Sequence, residues 1–287
     1  MTLLVGVLLG LVALVGYGLA NYFGAIASKK AGWFESATVS RAVSFLVLLV
    51  VFLALLSNQP ITLVQALLLI VAGVLSNIGL LFFFKAMNVG DLSIVAPIGS
   101  TDSAIAVVLV LIFLKTPASY LQKLFVFLTI IGTILVSFKY KDLRRLNFRK
   151  FVAGSEYAAL SAVFWGVDIF IEIVLINQLG WLIPAFFVYL VMLVCNLIYS
   201  VVSSTKFVRI RKAIVPSLVA GLTAAVATVA FNYGVVLNYA IIVTQLSGAA
   251  TMLTVLLGLV LMKERMETNQ KIGVSLIVLS IIALSII

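Results

Sequence analysis

Long apolar runs separated by short polar breaks make up most of this chain. A helix that spans a bilayer needs about 20 mainly apolar residues. Segments of that kind occur at residues 3–27, 36–56, 63–87, 92–114, 119–138, 151–176, 181–203, 213–237, 240–262 and 270–287. The longest break between them is the basic stretch at 139–150. The pattern predicts an all-α membrane protein with ten transmembrane helices.

A second pattern becomes visible when the sequence is compared with itself at a shift of 148 residues. Apolar matches mean little in such a chain, but glycine, glutamine and lysine positions also coincide, without gaps. Examples are Gly6 with Gly154, Gly18 with Gly166, Gly73 with Gly221, Lys115 with Lys263, and Gln122-Lys123 with Gln270-Lys271. Five helices per half is an odd number, so the second half would enter the membrane from the opposite side. Such inverted repeats are typical of secondary transporters.

The repeat divides the chain into a first five-helix unit at 1–140, a basic linker at 141–150 and a second five-helix unit at 151–287. Composition agrees with a membrane protein, since 64% of residues are hydrophobic and only 10% are charged, against about 25% charged in soluble domains. One cysteine and no histidine exclude an internal disulfide and histidine-based catalysis or metal binding. We therefore expect no cofactor, no metal and no enzymatic activity.

The net charge of +10 comes from residues placed between the apolar runs, which argues against nucleic acid as a partner. Seventeen of the 19 lysine and arginine residues fall on one side of the predicted membrane, and only Lys115 and Lys123 fall on the other. The positive-inside rule then predicts cytoplasmic basic loops and both termini outside, in a multi-pass protein of the plasma membrane. The expected partners are the lipid bilayer and a small-molecule substrate, and the protein would be a monomer or a homodimer.

The stretch LVLMKERMETNQKIGVSLIVLSIIAL at 259–284 joins an apolar helix, a Glu-Arg turn, a Gln, a Gly and a final apolar helix. With the aromatic-glycine pairs at 17–18 and 165–166 and with Arg41, it resembles the EamA-type domain of the drug/metabolite transporter superfamily. The first half departs from that pattern, because 114–119 contains no Glu-Arg pair. The resemblance implies a ten-helix basket in which helices 5 and 10 lie outside a central cavity. It also implies transport of amino acids and other metabolites, nucleotide-sugars or organic cations.

Apart from Glu156, which lies in the first turns of the sixth helix and is expected to be structural, three acidic residues lie inside predicted helices. Asp102 falls midway along the fourth helix, where an ionised carboxylate must face a cavity, find a partner or be protonated. Asp168 and Glu172 are four residues apart in the sixth helix and so share a face. Their proximity favours the protonated form, so either could exchange a proton near neutral pH. All three are candidates for proton coupling, and Asp102 and Asp168 also for substrate binding. The alternative to these roles is that the acids only stabilise the fold or, for Glu172, that the side chain is solvated near the end of the helix.

Neutral polar and aromatic residues complete the set of candidates. Buried amides often join membrane helices, and deep aromatics often only pack, but either kind can also line a binding site. The candidates are Asn21, Asn77, Asn232 and Gln245, the hydroxyl residue Ser100, and the aromatic residues Tyr17 and Trp165. Arg41 and Lys85 lie within two turns of helix ends and are expected to snorkel to the surface, with an anionic substrate group as the alternative partner.

These patterns favour a secondary active transporter of a small organic solute, an amino acid or related metabolite, working by alternating access in the direction of export. The chain contains no Walker A motif, so ATP coupling within it is not expected. The first alternative is transport of organic cations such as quaternary ammonium compounds, polyamines or drugs, because aromatic rings and carboxylates can hold a cation. The second is a lipid flippase or a structural membrane subunit.

Overall fold

The computed structural model describes residues 2–55, 59–113, 120–141, 151–205, 207–234, 236–237, 246–247 and 250–284. These ranges form α-helices with one short 3-10 helix at Phe207–Lys212. The helices are α1 Thr2–Ala31, α2 Trp33–Leu55, α3 Leu63–Val89, α4 Leu92–Gly99, α5 Asp102–Phe113, α6 Tyr120–Ser137, α7 Ser155–Leu179, α8 Leu182–Val202, α9 Ile214–Gly234, α10 Ala250–Leu261 and α11 Thr268–Leu284.

Helices α1, α2, α3, α7, α8 and α9 are long and apolar enough to cross a membrane. Shorter apolar helices occupy 92–106, 123–137 and 250–261. The protein is therefore an integral, multi-pass, helical membrane protein. Many of the large apolar side chains on these helices point outward, as expected of surfaces that contact lipid.

The predicted fourth helix, 92–114, is interrupted and forms α4 and α5 instead. Pro97 lies inside α4, and proline removes one helical hydrogen bond and pushes against the preceding turn. At the break the Ser100 hydroxyl donates to the Pro97 carbonyl at 2.9 Å, and the Thr101 hydroxyl donates to the Ile98 carbonyl at 2.7 Å. A broken helix is tolerated in a membrane when freed backbone groups find such partners. Asp102 is thus the first residue of α5, and its predicted mid-helix position was wrong.

Close helix contacts recur at positions 148 residues apart. A Cβ added to Gly18 on α1 would lie 2.6 Å from Leu253 on α10, and one added to Gly166 on α7 would lie 2.6 Å from Ile105 on α5. Gly73 on α3 approaches Val188 and Val191 of α8, and Gly221 on α9 approaches Ser40 and Val43 of α2. Gly18 and Gly166 are 148 residues apart, and so are their partners Leu253 and Ile105. The same separation relates Gly73 to Gly221 and the partners of the one to the partners of the other. The contacts at these four glycines are therefore related in pairs by one constant shift along the chain.

At the end of the bundle that carries most basic residues, Glu264 joins the two halves. Its carboxylate accepts hydrogen bonds from the backbone N–H groups of Leu92 and Ser93, each at 2.8 Å, and so caps the first turn of α4. The ammonium group of Lys29, on α1, is 3.6 Å from the same carboxylate. Burial, and then the charge of Glu264, raises the pKa of Asp91 above its ordinary value, while Lys29 lowers it. We call the end of the bundle at which Lys29, Asp91 and Glu264 lie together the basic end.

Helices α6 and α11 pack against each other where Gly132 and Gly273 meet, because a Cβ on either glycine would collide with the other's carbonyl. The Asn269 amide, at the start of α11, donates to the carbonyls of Leu135 and Phe138, each at 2.9 Å. Large apolar side chains such as Phe127 on α6 and Leu279 on α11 are exposed. These two helices form a pair with an apolar outer surface.

Candidate functional site

The candidate site is built around the acidic face of α7. Asp168 is only 4% exposed, and Glu172 follows one turn later on the same face of the helix. Ser76 of α3 is a neighbour of Asp168, and the charges of Glu172, Arg41 and Asp102 all act on its carboxyl group. One carboxyl oxygen, Oδ1, is shielded from solvent and has no hydrogen-bond partner among the described residues. Buried polar atoms are normally paired, so this oxygen is available to a ligand or a proton.

Arg41 lies in the interior beside these acids and does not snorkel. Its side chain is 8% exposed, and its guanidinium carbon is 4.1 Å from the ring centroid of Tyr189 on α8. The prediction that it reaches the surface was therefore wrong. It failed because distance along a helix does not reveal which neighbouring helix covers the side chain. Lys85 does stay nearer the basic end, over the ring of Tyr157 at 4.3 Å.

Hydroxyl groups connect three helices at the same level. The Tyr17 hydroxyl on α1 lies 3.2 Å from the Thr228 hydroxyl on α9, which lies 2.8 Å from the Tyr189 hydroxyl on α8. Glu172 and Arg41 both act electrostatically on Tyr17. The predicted residues Tyr17, Asp168 and Glu172 are thus brought together with Arg41.

Other predicted residues lie around this cluster. The Trp165 indole donates to the Ser76 carbonyl at 3.2 Å and packs against Phe83, with ring centroids 5.1 Å apart. Asn77, next to Ser76 on α3, is 5% exposed and its side-chain oxygen has no partner. Asn232, one turn beyond Thr228 on α9, is 8% exposed. These residues offer an aromatic wall and two amides to the same region.

Some candidates are placed differently. Asn21 donates to the Thr254 hydroxyl on α10 at 3.3 Å, which joins two helices. Ser100 closes the turn at the helix break. Asp102 is partly buried at the start of α5, where its carbonyl lies beside Gly166, and its charge reaches Asp168. Gln245 lies outside the described residues.

A cavity of about 280 Å³ lies away from these charges, between α1, α2 and α9. Its lining is apolar apart from one phenol hydroxyl: Leu9, Val12, Val47, Val51, Val226, Val229, Ala230 and Tyr233. Such a cavity has no charged group to hold a polar solute. The acidic cluster with Arg41 is the better candidate for the functional site.

Comparisons with known proteins identify the family. The sequence model of the EamA-like transporter family matches residues 4–138. An uncharacterised protein of Methanocaldococcus jannaschii is 34% identical over 135 residues, which are 46% of this chain and 95% of that protein. The chain belongs to the EamA-like transporter family. A solved crystal structure of a protein superposes on this EamA-like transporter with a TM-score of 0.63 at 16% identity, covering 98% of this chain and 96% of its own.

The resemblance seen in the sequence is thereby confirmed at the level of the family, and the last comparison shows a shared fold. In this EamA-like transporter, sequence reasoning missed Tyr189, Thr228 and Ser76 as neighbours of the acids. One signal was present, because Tyr189 is the residue 148 positions after Arg41. The two residues in contact are therefore related by the same 148-residue shift that relates the glycine contacts.

Proposed function

We propose that this protein is a secondary active transporter that exports a small organic solute, an amino acid or a related metabolite. The observation that carries the proposal is the cluster formed by Asp168, Glu172 and Arg41 inside an apolar bundle. Charged groups within a membrane are costly and are found facing a cavity or a pathway. Aromatic and amide side chains at Tyr17, Trp165, Asn77 and Asn232 would complete the substrate site.

The proposed architecture is a basket of ten helices built from two inverted five-helix units, 1–140 and 151–287, joined by the basic linker at 141–150. Two observations support it. The paired glycine contacts on α3 and α9, and on α1 and α7, are related by one constant shift along the chain. In addition, the Methanocaldococcus jannaschii relative is about half as long as this chain, since 135 residues make up 95% of it. One five-helix unit of this chain would thus correspond to nearly the full length of that relative.

Alternating access would expose the cluster first to one side of the membrane and then to the other, as one unit rocks against its partner. Asp102, Asp168 and Glu172 are the proposed proton-coupling residues. An ionised carboxylate inside a membrane is costly, so such a group is suited to exchanging a proton during transport. Asp102 at the start of α5, and Ser100 at the break, would respond to any movement between α4 and α5. Gln245 remains a proposed binding residue on the basis of the sequence.

The proposed orientation places the basic end in the cytoplasm and both termini outside the plasma membrane, following the positive-inside rule. The protein would act as a monomer or a homodimer. Transport of an organic cation is the second candidate function. It is favoured by the fact that two acidic side chains, Asp168 and Glu172, accompany one arginine in the cluster, with Tyr17 and Trp165 nearby. A lipid flippase or a structural membrane subunit is the alternative from a different functional class.

The test is solute counterflow into proteoliposomes that contain the full chain, with amino acids, quaternary amines, polyamines and nucleotide-sugars as solutes. We expect counterflow of an amino acid, and stimulation of its net movement by an imposed pH gradient. Asp168→Asn should abolish the stimulation, whereas the control Glu156→Gln, in the first turn of the same helix, should retain it. Asp102→Asn should lower the rate. Absence of counterflow for every solute would overturn the proposed function.

A further inference from the structure

Arg41 is a buried cation, and none of the acidic residues that the structure describes forms an ion pair with it. In the part of the chain that the structure describes, Lys29 and Glu264 are the pair whose charged atoms lie within 4.0 Å, and Arg41 has no carboxylate oxygen at that distance. Two guanidinium nitrogens, Nε and Nη1, are shielded from solvent and donate no hydrogen bond. A buried charge of this kind is strongly unfavourable unless something supplies the missing acceptors.

The surroundings of Arg41 leave Nε and Nη1 without acceptors among the described residues while an aromatic ring covers the group. The guanidinium carbon lies over the face of the Tyr189 ring, 4.1 Å from the centroid, and the Tyr189 hydroxyl is held by Thr228 at 2.8 Å. The N–H donors of a guanidinium group lie at the edge of its plane. A fork of two such donors is suited to a planar, bidentate anion such as a carboxylate.

The opposite charge is nearby but not in contact. Asp168 and Glu172 on α7 are close enough for Arg41 to act on both of them electrostatically, yet neither forms an ion pair with it. An arginine that only neutralised these acids would be expected to contact one of them. Arg41 and Glu172 also both act electrostatically on Tyr17, so the phenol lies near groups of opposite charge.

We infer that Arg41 is a substrate-binding residue that holds the carboxylate of a zwitterionic amino acid, while Asp168 and Glu172 face the ammonium group. This inference rests on the proposed transport function and names the feature of the substrate that the site selects. Amines and amides without a carboxylate would leave the guanidinium group unpaired, so they bind more weakly. The aromatic side chains around the cluster favour amino acids with apolar or aromatic side chains.

The experiment measures binding of matched probes to the purified full chain in detergent. The probes are L-leucine with L-leucinamide and 4-methylpentanoate, and L-phenylalanine with L-phenylalaninamide and 3-phenylpropanoate. The protein variants are wild type, Arg41→Gln and Arg41→Lys. The matched control is Lys85→Gln, which removes the cation stacked on Tyr157. Dissociation constants come from titrations followed by thermal shift.

We expect wild type to bind at least one of the two amino acids about tenfold or more tightly than its amide. That preference should fall to within about twofold in Arg41→Gln, should be intermediate in Arg41→Lys, and should be unchanged in Lys85→Gln. Equal binding of the amino acids and their amides by wild type would overturn the inference. A preference retained by folded Arg41→Gln, or binding of neither amino acid, would also overturn it.

A second measurement on wild type covers the case in which Arg41→Gln does not fold. Phenylglyoxal modifies arginine side chains, and mass spectrometry reports its reaction at Arg41. L-Leucine or L-phenylalanine should protect Arg41, whereas the corresponding amides should not. Equal protection by acid and amide, or no protection, contradicts the inference. Counterflow of a quaternary amine or polyamine together with such a result would leave transport standing and remove only the role of Arg41, whereas absence of all counterflow would remove both.

Discussion

Asp91 occupies the N-cap position of α4, but its side chain caps no backbone N–H. Glu264 from the other half of the chain does so in its place. Burial and the neighbouring Glu264 charge raise the pKa of Asp91, so its ionised form is disfavoured in the folded protein. An acid whose pKa is raised by folding destabilises the native state above that pKa, and the penalty disappears on protonation.

We therefore predict that Asp91→Asn raises the melting temperature in detergent at pH 7. The gain should shrink as the pH is lowered towards the ordinary value of 3.8, because the carboxyl of the wild type then becomes protonated. Thermal unfolding between pH 4 and pH 8 measures the effect. Glu156→Gln, at the first turn of α7, is the control and should give no gain. An Asp91→Asn effect that is constant with pH would contradict this account.

Acidic side chains inside apolar runs could be recognised from the sequence alone, because they are costly in a membrane wherever they point. Asp168 and Glu172 were found in this way, and their spacing correctly predicted a shared face. The environment of Arg41 could not be found, since it depends on Tyr189, which lies in the other half of the chain. Its position near the start of α2 suggested a surface residue, and only the packing of α2 against α8 covers it.

At the scale of elements, the turn after α10 sets the position of α4. Glu264 is 4% exposed in its side chain and holds two backbone N–H groups and Lys29. Hydrogen bonds to a charged group contribute about 1.5–3 kcal/mol each, and burying unpaired donors adds to the loss. Glu264, in the Glu-Arg turn, thus caps a short helix whose first residue lies 172 positions earlier in the chain.

Glu264→Gln is predicted to lower the free energy of unfolding by about 1–3 kcal/mol, because glutamine has one acceptor oxygen and no charge. The matched control is Glu267→Gln in the same turn. Glu267 is exposed and accepts a single backbone hydrogen bond, from Tyr140 at 2.8 Å, so its loss should cost under about 1 kcal/mol. Chemical or thermal unfolding in detergent compares the two. Equal losses of unfolding free energy in the two variants would show that the hydrogen bonds of Glu264 stabilise the protein no more than that of Glu267.

The paired glycines provide a second test at this scale. A Cβ on Gly73 would lie 2.5 Å from Val191 Cβ, and a Cβ on Gly221 would collide with the Ser40 carbonyl. Gly73→Ala and Gly221→Ala should each destabilise the protein by about 1–3 kcal/mol through overpacking. Gly24→Ala should be milder, since its nearest neighbours at 3.3 Å are the ends of Met87 and Phe84. A tolerated Gly73→Ala beside a damaging Gly221→Ala would argue against equivalent packing.

For the whole molecule, the proposed mechanism requires the two halves to separate at one end and then at the other. Gln65 of α3 and Gln178 of α7 touch at the end opposite the basic loops, with Nε2 and Oε1 3.0 Å apart. A covalent tether between these positions would hold the halves together there. In an alternating-access transporter such a tether blocks one of the two required states.

We predict that Gln65→Cys with Gln178→Cys, in a Cys195→Ser background, loses net transport after reaction with a bismaleimide that contains a disulfide. Reduction of the reagent should restore transport. Each single cysteine variant, treated identically, is the control and should stay active. Full activity of the tethered double variant would contradict a mechanism that opens this end.

The sequence by itself determined the class of protein, the family and the membrane-spanning character, because hydropathy and helix length are local properties that lipid imposes on each segment. It also indicated which acids are exceptional. The tertiary structure decided where the fourth helix breaks, which groups surround Arg41, and that Glu264 caps α4. These features depend on contacts between residues far apart in the chain, such as Arg41 with Tyr189 and Glu264 with Leu92. No local sequence pattern contains that information, because the tilt and packing of the helices determine which distant residues come into contact.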